Sequence, residues 1–330
     1  MKAGDAQGGR IRHRSLTRAG VRLHWEVAGP LPGRARAARP GLQPGDEGEP
    51  LGGRPLLLLH GFTGRAAVWR PFLGRLARDR LVVAVDLLGH GGSRTVRGHP
   101  TPERYRMEEQ ARDLLAILDR MELERVDVLG YSMGGRVALH VAVHHPERVG
   151  GLVLESASPG LNSAQERAER RARDEALAEF LEERGIRAFV ECWEALPLFA
   201  SHERLPDRVR WRQRRLRLLG RPAELAASLR GMGTGVQEPL WDRLAQVQAP
   251  TLLIVGELDE KFRNLALHMA SRLPRARVVM VPGAGHTVHL EAPEVFTRQV
   301  LAFLEEVRAG GPEPVAGTGQ GFQASSERRR

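Results

Sequence analysis

Short apolar runs, spaced by longer amphipathic stretches, mark the middle of this chain. Residues 55–59, 81–85, 126–129, 152–154, 251–255 and 278–281 are each strand-sized, and most are apolar at successive positions. A strand that is apolar on both faces is buried between two layers, which is the habit of parallel sheets. Helix-compatible stretches fill most of the intervals. Thr101 as N-cap with Pro102 behind it predicts a helix running to about Met121, and Pro293 stands near the start of a last helix over 292–307. Strands alternating with helices predict the α/β class, a mostly parallel, doubly wound sheet with helices on both faces.

One stretch breaks the alternation. Residues 163–244 are charged and helical in pattern, with no convincing strand. Inserted between two strands of such a sheet, they predict a helical cap over the strands' carboxyl ends, where ligands bind. The expected organisation is a flexible N-terminus at 1–15, a core made of 16–162 and 245–308, and the cap at 163–244. Density in Pro, Gly and Arg marks 29–53 as a flexible loop and 309–330 as a disordered tail.

Composition narrows the class. A hydrophobic fraction of 42% with 27% charged residues fits an ordinary globular domain. No apolar run approaches the ~20 residues that cross a bilayer, so no membrane insertion is expected. Residues 1–10 are polar and glycine-rich with no apolar h-region, which predicts a cytoplasmic protein. The single cysteine, Cys192, excludes an internal disulfide, and its neighbour Trp193 predicts a packed thiol. A net charge of +10 raises the question of nucleic acid. Much of the excess, however, sits near the ends, as at Arg10, Arg12, Arg14 and Arg328 to Arg330, and every basic residue except Lys2 and Lys261 is arginine. That is a compositional bias more than a phosphate-binding face, and no nucleic-acid partner is expected. The sequence carries no sign of oligomeric state.

The chemistry is concentrated at the ends of the predicted strands. Gly130-Tyr131-Ser132-Met133-Gly134 follows the strand at 126–129 and precedes a helical stretch, the context of a nucleophile elbow. Small residues around Ser132 permit the tight turn, and the hydroxyl then stands at a helix N-terminus, where negative charge is stabilised. In a fold of this order the acid follows the serine, and the histidine comes last. Asp259, after the strand at 251–255, is the natural acid, with Glu257 as its rival. His286, after the strand at 278–281, is the base, and His289 reads as a supporting or surface residue. Asp259 would fix the tautomer of His286, which would take the proton of Ser132. His60-Gly61-Phe62-Thr63-Gly64 follows the first central strand, so the backbone N–H groups of Phe62 and Met133 are the candidate oxyanion hole. His140 and His144 have metal-ligand spacing but lack the glutamate of the zincin pattern, and no metal is expected.

Beyond these shared features, the chain closely resembles the 2-succinyl-6-hydroxy-2,4-cyclohexadiene-1-carboxylate synthases of menaquinone biosynthesis. The resemblance spans about 55–304. It rests on Leu59-His60-Gly61-Phe62-Thr63-Gly64, Asp86-Leu87-Leu88-Gly89-His90-Gly91, the elbow with Gly135-Arg136, and Ser158-Pro159-Gly160-Leu161. Trp193 with Pro197-Leu198-Phe199, Gly256-Glu257-Leu258-Asp259-Glu260-Lys261-Phe262 and Gly285-His286-Thr287-Val288-His289 complete it. Arg136, the Ser158 turn and Lys261-Phe262 are its selective parts.

The resemblance implies a lyase with no required cofactor that deprotonates a cyclohexene polycarboxylate and expels pyruvate. It implies substrate-binding roles for Arg136 and Arg170, and pocket positions for Tyr131, whose hydroxyl could meet a substrate oxygen, and Trp193, which could pack on the ring. Read alone, Arg136 fits a helix-surface salt bridge as well as a carboxylate clamp, and Trp193 fits a cap core as well as a ring platform. Two rivals remain at this stage, a serine esterase or thioesterase and a non-catalytic binding protein of the same fold. Serine at position 132 excludes a haloalkane dehalogenase, which needs aspartate there.

Overall fold

The computed structural model describes residues 11–30 and 52–310. Among these, nine strands form one sheet. They are β1 (Arg12–Arg18), β2 (Val21–Ala28), β3 (Leu56–Leu59), β4 (Val82–Asp86), β5 (Arg94–Thr95), β6 (Val126–Tyr131), β7 (Val149–Glu155), β8 (Thr251–Gly256) and β9 (Ala276–Val281). The order is β1-β2-β4-β3-β6-β7-β8-β9, with β5 paired to β2. Pairing is parallel from β4 through to β9, and β2 is antiparallel to β1 and β4.

The helices are α1 (Arg70–Leu76), α2 (Met107–Arg120), α3 (Met133–His144), α4 (Ala164–Glu194), α5 (Asp207–Leu218), α6 (Pro222–Met232), α7 (Glu260–Ala270), α8 (Val288–Glu291) and α9 (Pro293–Arg308). The period-two geometry of strands splits the core into two layers. Leu57, Leu59, Val83 and Val85 pack with α2, α3 and α7. Their neighbours Leu56, Leu58, Val82 and Ala84 pack with α1 and α9 on the other face. Between β7 and β8 the chain is helical, and α4 and α6 form a small core of their own around Leu181, Phe189 and Leu225.

The chain order reverses at β3. From β3 it runs outward to β4, then returns so that β6 lies on β3's other side, with Leu59 opposite Gly130. This switch point brings the β3 loop and the end of β6 together and opens a crevice between them.

Several expectations change. Residues 12–15 are not part of a flexible N-terminus but of β1, whose backbone pairs with β2 from Arg12↔Val27 to Arg18↔Val21. Its side chains are mostly exposed at the sheet edge, so it shows no apolar run. The expected helix from Thr101 is interrupted. Pro102–Tyr105 forms a 3-10 turn, Arg106 is extended, and the α-helix begins at Met107. The break turns Tyr105 inward, where its hydroxyl donates to Glu224 of α6. Cys192 is exposed rather than packed, because it lies on the outer side of α4. Most of the loop at 29–53 and of the tail at 309–330 falls outside the described residues.

Candidate active site

Ser132 sits where β6 turns into α3, with φ 50° and ψ −109°. A non-glycine residue held at positive φ is strained, and here packing around it leaves no alternative. A Cβ on Gly134 would lie 2.4 Å from the carbonyl oxygen of Leu59, and one on Gly130 would lie 2.4 Å from that of Gly134. Only glycine lets the first turn of α3 press against the β3 loop this closely. The Ser132 N–H donates to the carbonyl of Glu155 at 2.8 Å, which anchors the turn to β7.

The hydroxyl oxygen of Ser132 is 3.1 Å from Nε2 of His286. On the other side of the ring, Nδ1 donates to Oδ2 of Asp259 at 2.6 Å. His286 and Asp259 are both buried. Asp259 is also the N-cap of α7, its Oδ1 accepting from the N–H of Phe262, so each carboxylate oxygen has a fixed duty. The rival Glu257 is exposed and instead accepts from the N–H of Gly283. This arrangement can draw a proton from the hydroxyl and hold the resulting imidazolium.

The β3 loop is held from behind. Leu87 N–H donates to Nε2 of His60 at 3.1 Å, which forces the proton onto Nδ1, where it is donated to the Gly61 carbonyl at 2.7 Å. Burial brings the His60 pKa down to about 4, keeping the ring neutral. Phe62 and Met133 line the same cleft as Ser132. Met133 opens α3, so its N–H has no acceptor within the helix.

The cleft over Ser132 encloses about 190 Å³. Its lining includes three cations, Arg136, Arg170 and Lys261, and no aspartate or glutamate. Arg136, one helical turn past Ser132, is only 9% exposed. Its Nη1 donates to the carbonyl of Met232 and to Oε1 of Gln237, both at 2.8 Å. Burial, with Arg170 nearby, pulls the Arg136 pKa down to about 10. Arg170 donates through Nε to Asp174 at 2.8 Å, and burial raises the Asp174 carboxyl against that attraction. Arg136 is thus a buried guanidinium hydrogen-bonded only to neutral oxygens, with the Asp174 carboxylate acting on it through space, and its charge can pair with an anion in the cleft.

An α/β hydrolase fold family model matches residues 54–293. A putative 2-succinyl-6-hydroxy-2,4-cyclohexadiene-1-carboxylate synthase of Bacillus subtilis (strain 168) is 44% identical over 262 residues, covering 79% of this chain and 94% of that protein. The chain belongs to this synthase family. The 2-succinyl-6-hydroxy-2,4-cyclohexadiene-1-carboxylate synthase of Escherichia coli O1:K1 is 34% identical over 72% of this chain and 88% of its own. MenH from S. aureus superposes with a TM-score of 0.74 at 35% identity, covering 77% of this chain and 94% of that structure.

Of the residues singled out in the sequence, the structure brings Ser132, His286, Phe62, Met133, Arg136, Arg170, Tyr131 and Trp193 to the lining of one cleft, with Asp259 behind His286. For two of them the structure adds detail. The Tyr131 hydroxyl is bonded to Oγ1 of Thr287 at 2.8 Å, so the ring walls the cleft while the hydroxyl is engaged behind it. Trp193 serves both the cap core and the cleft, edge-on to Phe62 at 5.2 Å and stacked on Phe189 at 5.6 Å. His289 is buried, with its backbone N–H and Nδ1 both on the Glu155 carboxylate.

Other contributors escaped the sequence. Gln237 holds Arg136, and its glutamine type alone predicts nothing. His202 of the cap reaches Oγ1 of Thr287 at 3.0 Å, tying the cap to the loop of His286. Burial, with Arg217 nearby, takes the His202 pKa down to about 3, so the tie is made by a neutral ring. Lys261 lay inside a recognised motif, but only the fold turns it to the cleft.

Proposed function

We propose that this enzyme is a carbon–oxygen lyase of menaquinone biosynthesis. It converts 2-succinyl-5-enolpyruvyl-6-hydroxy-3-cyclohexene-1-carboxylate to 2-succinyl-6-hydroxy-2,4-cyclohexadiene-1-carboxylate and pyruvate. The observation that carries this reading is the cleft itself, with three cations and no carboxylate above a serine–histidine pair. A hydrolase of neutral esters gains nothing from a buried guanidinium there.

In this mechanism His286 accepts the Ser132 proton, and the serine oxygen removes a ring proton from the substrate. The electron pair passes onto the conjugated carbonyl oxygen, where the N–H groups of Phe62 and Met133 would stabilise the charge. Collapse of that enolate forms the second ring double bond and breaks the carbon–oxygen bond to the enolpyruvyl group. The departing enolate oxygen takes the proton of the imidazolium and leaves as enolpyruvate, which tautomerises to pyruvate, so serine and histidine return to their starting protonation. Arg136 and Arg170 hold carboxylates of the ring portion.

The test supplies purified protein with the fresh product of the preceding enzyme and follows pyruvate by a coupled assay, with activated esters in parallel. Pyruvate release well above the spontaneous rate is expected. Ester cleavage with no such release would replace the lyase by an esterase using the same residues.

A further inference from the structure

Lys261 is the one lysine among the described residues of a chain that otherwise uses arginine, and it lines the catalytic cleft. It occupies the first turn of α7, two residues after Asp259. A cation there opposes the helix dipole, so local electrostatics do not explain its presence. Nor does pairing. Among the described residues its ammonium has no ion-pair or hydrogen-bond partner and lies 5.9 Å from the centre of the Phe262 ring. That ring in turn is 4.6 Å from the His286 ring. The two cleft arginines are different. Arg136 is clamped by Met232 and Gln237, and Arg170 by Asp174.

We propose that Lys261 receives the carboxylate of the three-carbon fragment that leaves, while Arg136 and Arg170 hold the ring that stays. This assignment rests on the lyase reading above. The substrate carries three carboxylates, and the cleft offers three cations. The leaving oxygen must approach His286 to collect its proton, and Lys261 shares the Phe262 ring with that imidazole, at 5.9 Å and 4.6 Å from the ring centre, so the fragment's own carboxylate comes to that side of the cleft. Turnover also requires this fragment to depart each cycle. A single exposed ammonium on a flexible stem makes a point contact that exchanges with water, whereas a clamped guanidinium makes a fixed, two-pronged one.

The test compares wild type, Lys261→Met and Lys261→Arg by product inhibition and by direct binding. Pyruvate should inhibit Lys261→Met about tenfold more weakly than wild type, and inhibition by the cyclohexadiene product should change less than twofold. Lys261→Arg should recover most of the pyruvate inhibition. The KM for substrate should rise in Lys261→Met with little change in kcat, the signature of lost uniform binding. Its melting temperature should hold or rise slightly, because a cation has left a helix N-terminus, and a structural role would lower it. Equal weakening toward both products, or unchanged pyruvate inhibition, would overturn the assignment. A wild type that releases no pyruvate would remove the lyase reading instead. Titration of tryptophan fluorescence with pyruvate would then decide Lys261 by itself, equal affinity in wild type and Lys261→Met counting against it.

Discussion

The floor and the roof of the cleft are built by different means. The floor comprises the elbow, the β3 loop and the loop of His286, and backbone fixes it. Ser132 is held at positive φ, Gly134 admits no side chain, and His60 and Asp259 spend both of their polar ends on positioning. The roof is side chains on helices. Arg170 of α4 faces Asp174, Trp193 leans on Phe62, and Gln237, from the loop after α6, reaches down to Arg136. Labour is thus divided between the two. A backbone-built floor can serve many reactions, and under the proposed function substrate choice falls to the cations and rings set around it.

The largest expected effect is on the floor. Ser132→Ala should lower kcat by about 10³-fold with an unchanged melting temperature, because only a proton-transfer group is lost. A loss confined to KM would contradict the division. Next comes Arg136→Ala, which should cost about 10²-fold in kcat/KM, mainly through KM, as expected for removing a buried partner of a bound carboxylate. Unchanged kinetics would remove the carboxylate assignment.

Acid should test the support beneath the floor. The His60 pKa falls from 6.5 to about 4 on folding, so the unfolded chain binds the extra proton between those values. The stability this ring contributes is therefore complete above about pH 6.5 and is lost as pH falls toward 4. Between pH 7 and 5 this ring's share of the loss should be about 2 kcal/mol, beside the shares of the other buried histidines, His90, His140 and His202, and it is read as the difference between wild type and His60→Gln in urea denaturation at the two pH values. The same loss in both proteins would mean that His60 is not held neutral.

The smallest effect belongs to Arg170→Ala. This guanidinium is partly exposed and already paired to Asp174, so a rise of about tenfold in KM is expected, with kcat nearly unchanged.

Much of the floor was legible in the sequence because its signals are local. Leu56–Leu59 and Val82–Asp86 are buried throughout, and a strand buried on both faces must read as an unbroken apolar run. The elbow needs small residues at fixed offsets, so Gly130, Ser132 and Gly134 announce it. β1 escaped because an edge strand shows water its side chains and pairs by backbone alone. The alternation of Val21, Leu23, Trp25 and Val27 in β2 was present but sat beside that polar edge. The roof was less legible because its contacts are long-range. Gln237 meets Arg136 across 101 positions, and His202 meets Thr287 across 85. The Tyr131 hydroxyl reads from sequence as one that could meet substrate for the same reason, since its partner Thr287 lies 156 positions away. The kink at Gly185, with φ 74°, divides α4 without any flanking proline to signal it.

The division of labour is tested most directly by titrating substrate into Ser132→Ala, with and without Arg136→Ala, and reading affinity from tryptophan fluorescence. Ser132→Ala should bind within about threefold of the wild-type KM, and adding Arg136→Ala should weaken binding by at least about tenfold. Affinity lost with the serine alone, or kept without the arginine, would contradict that division.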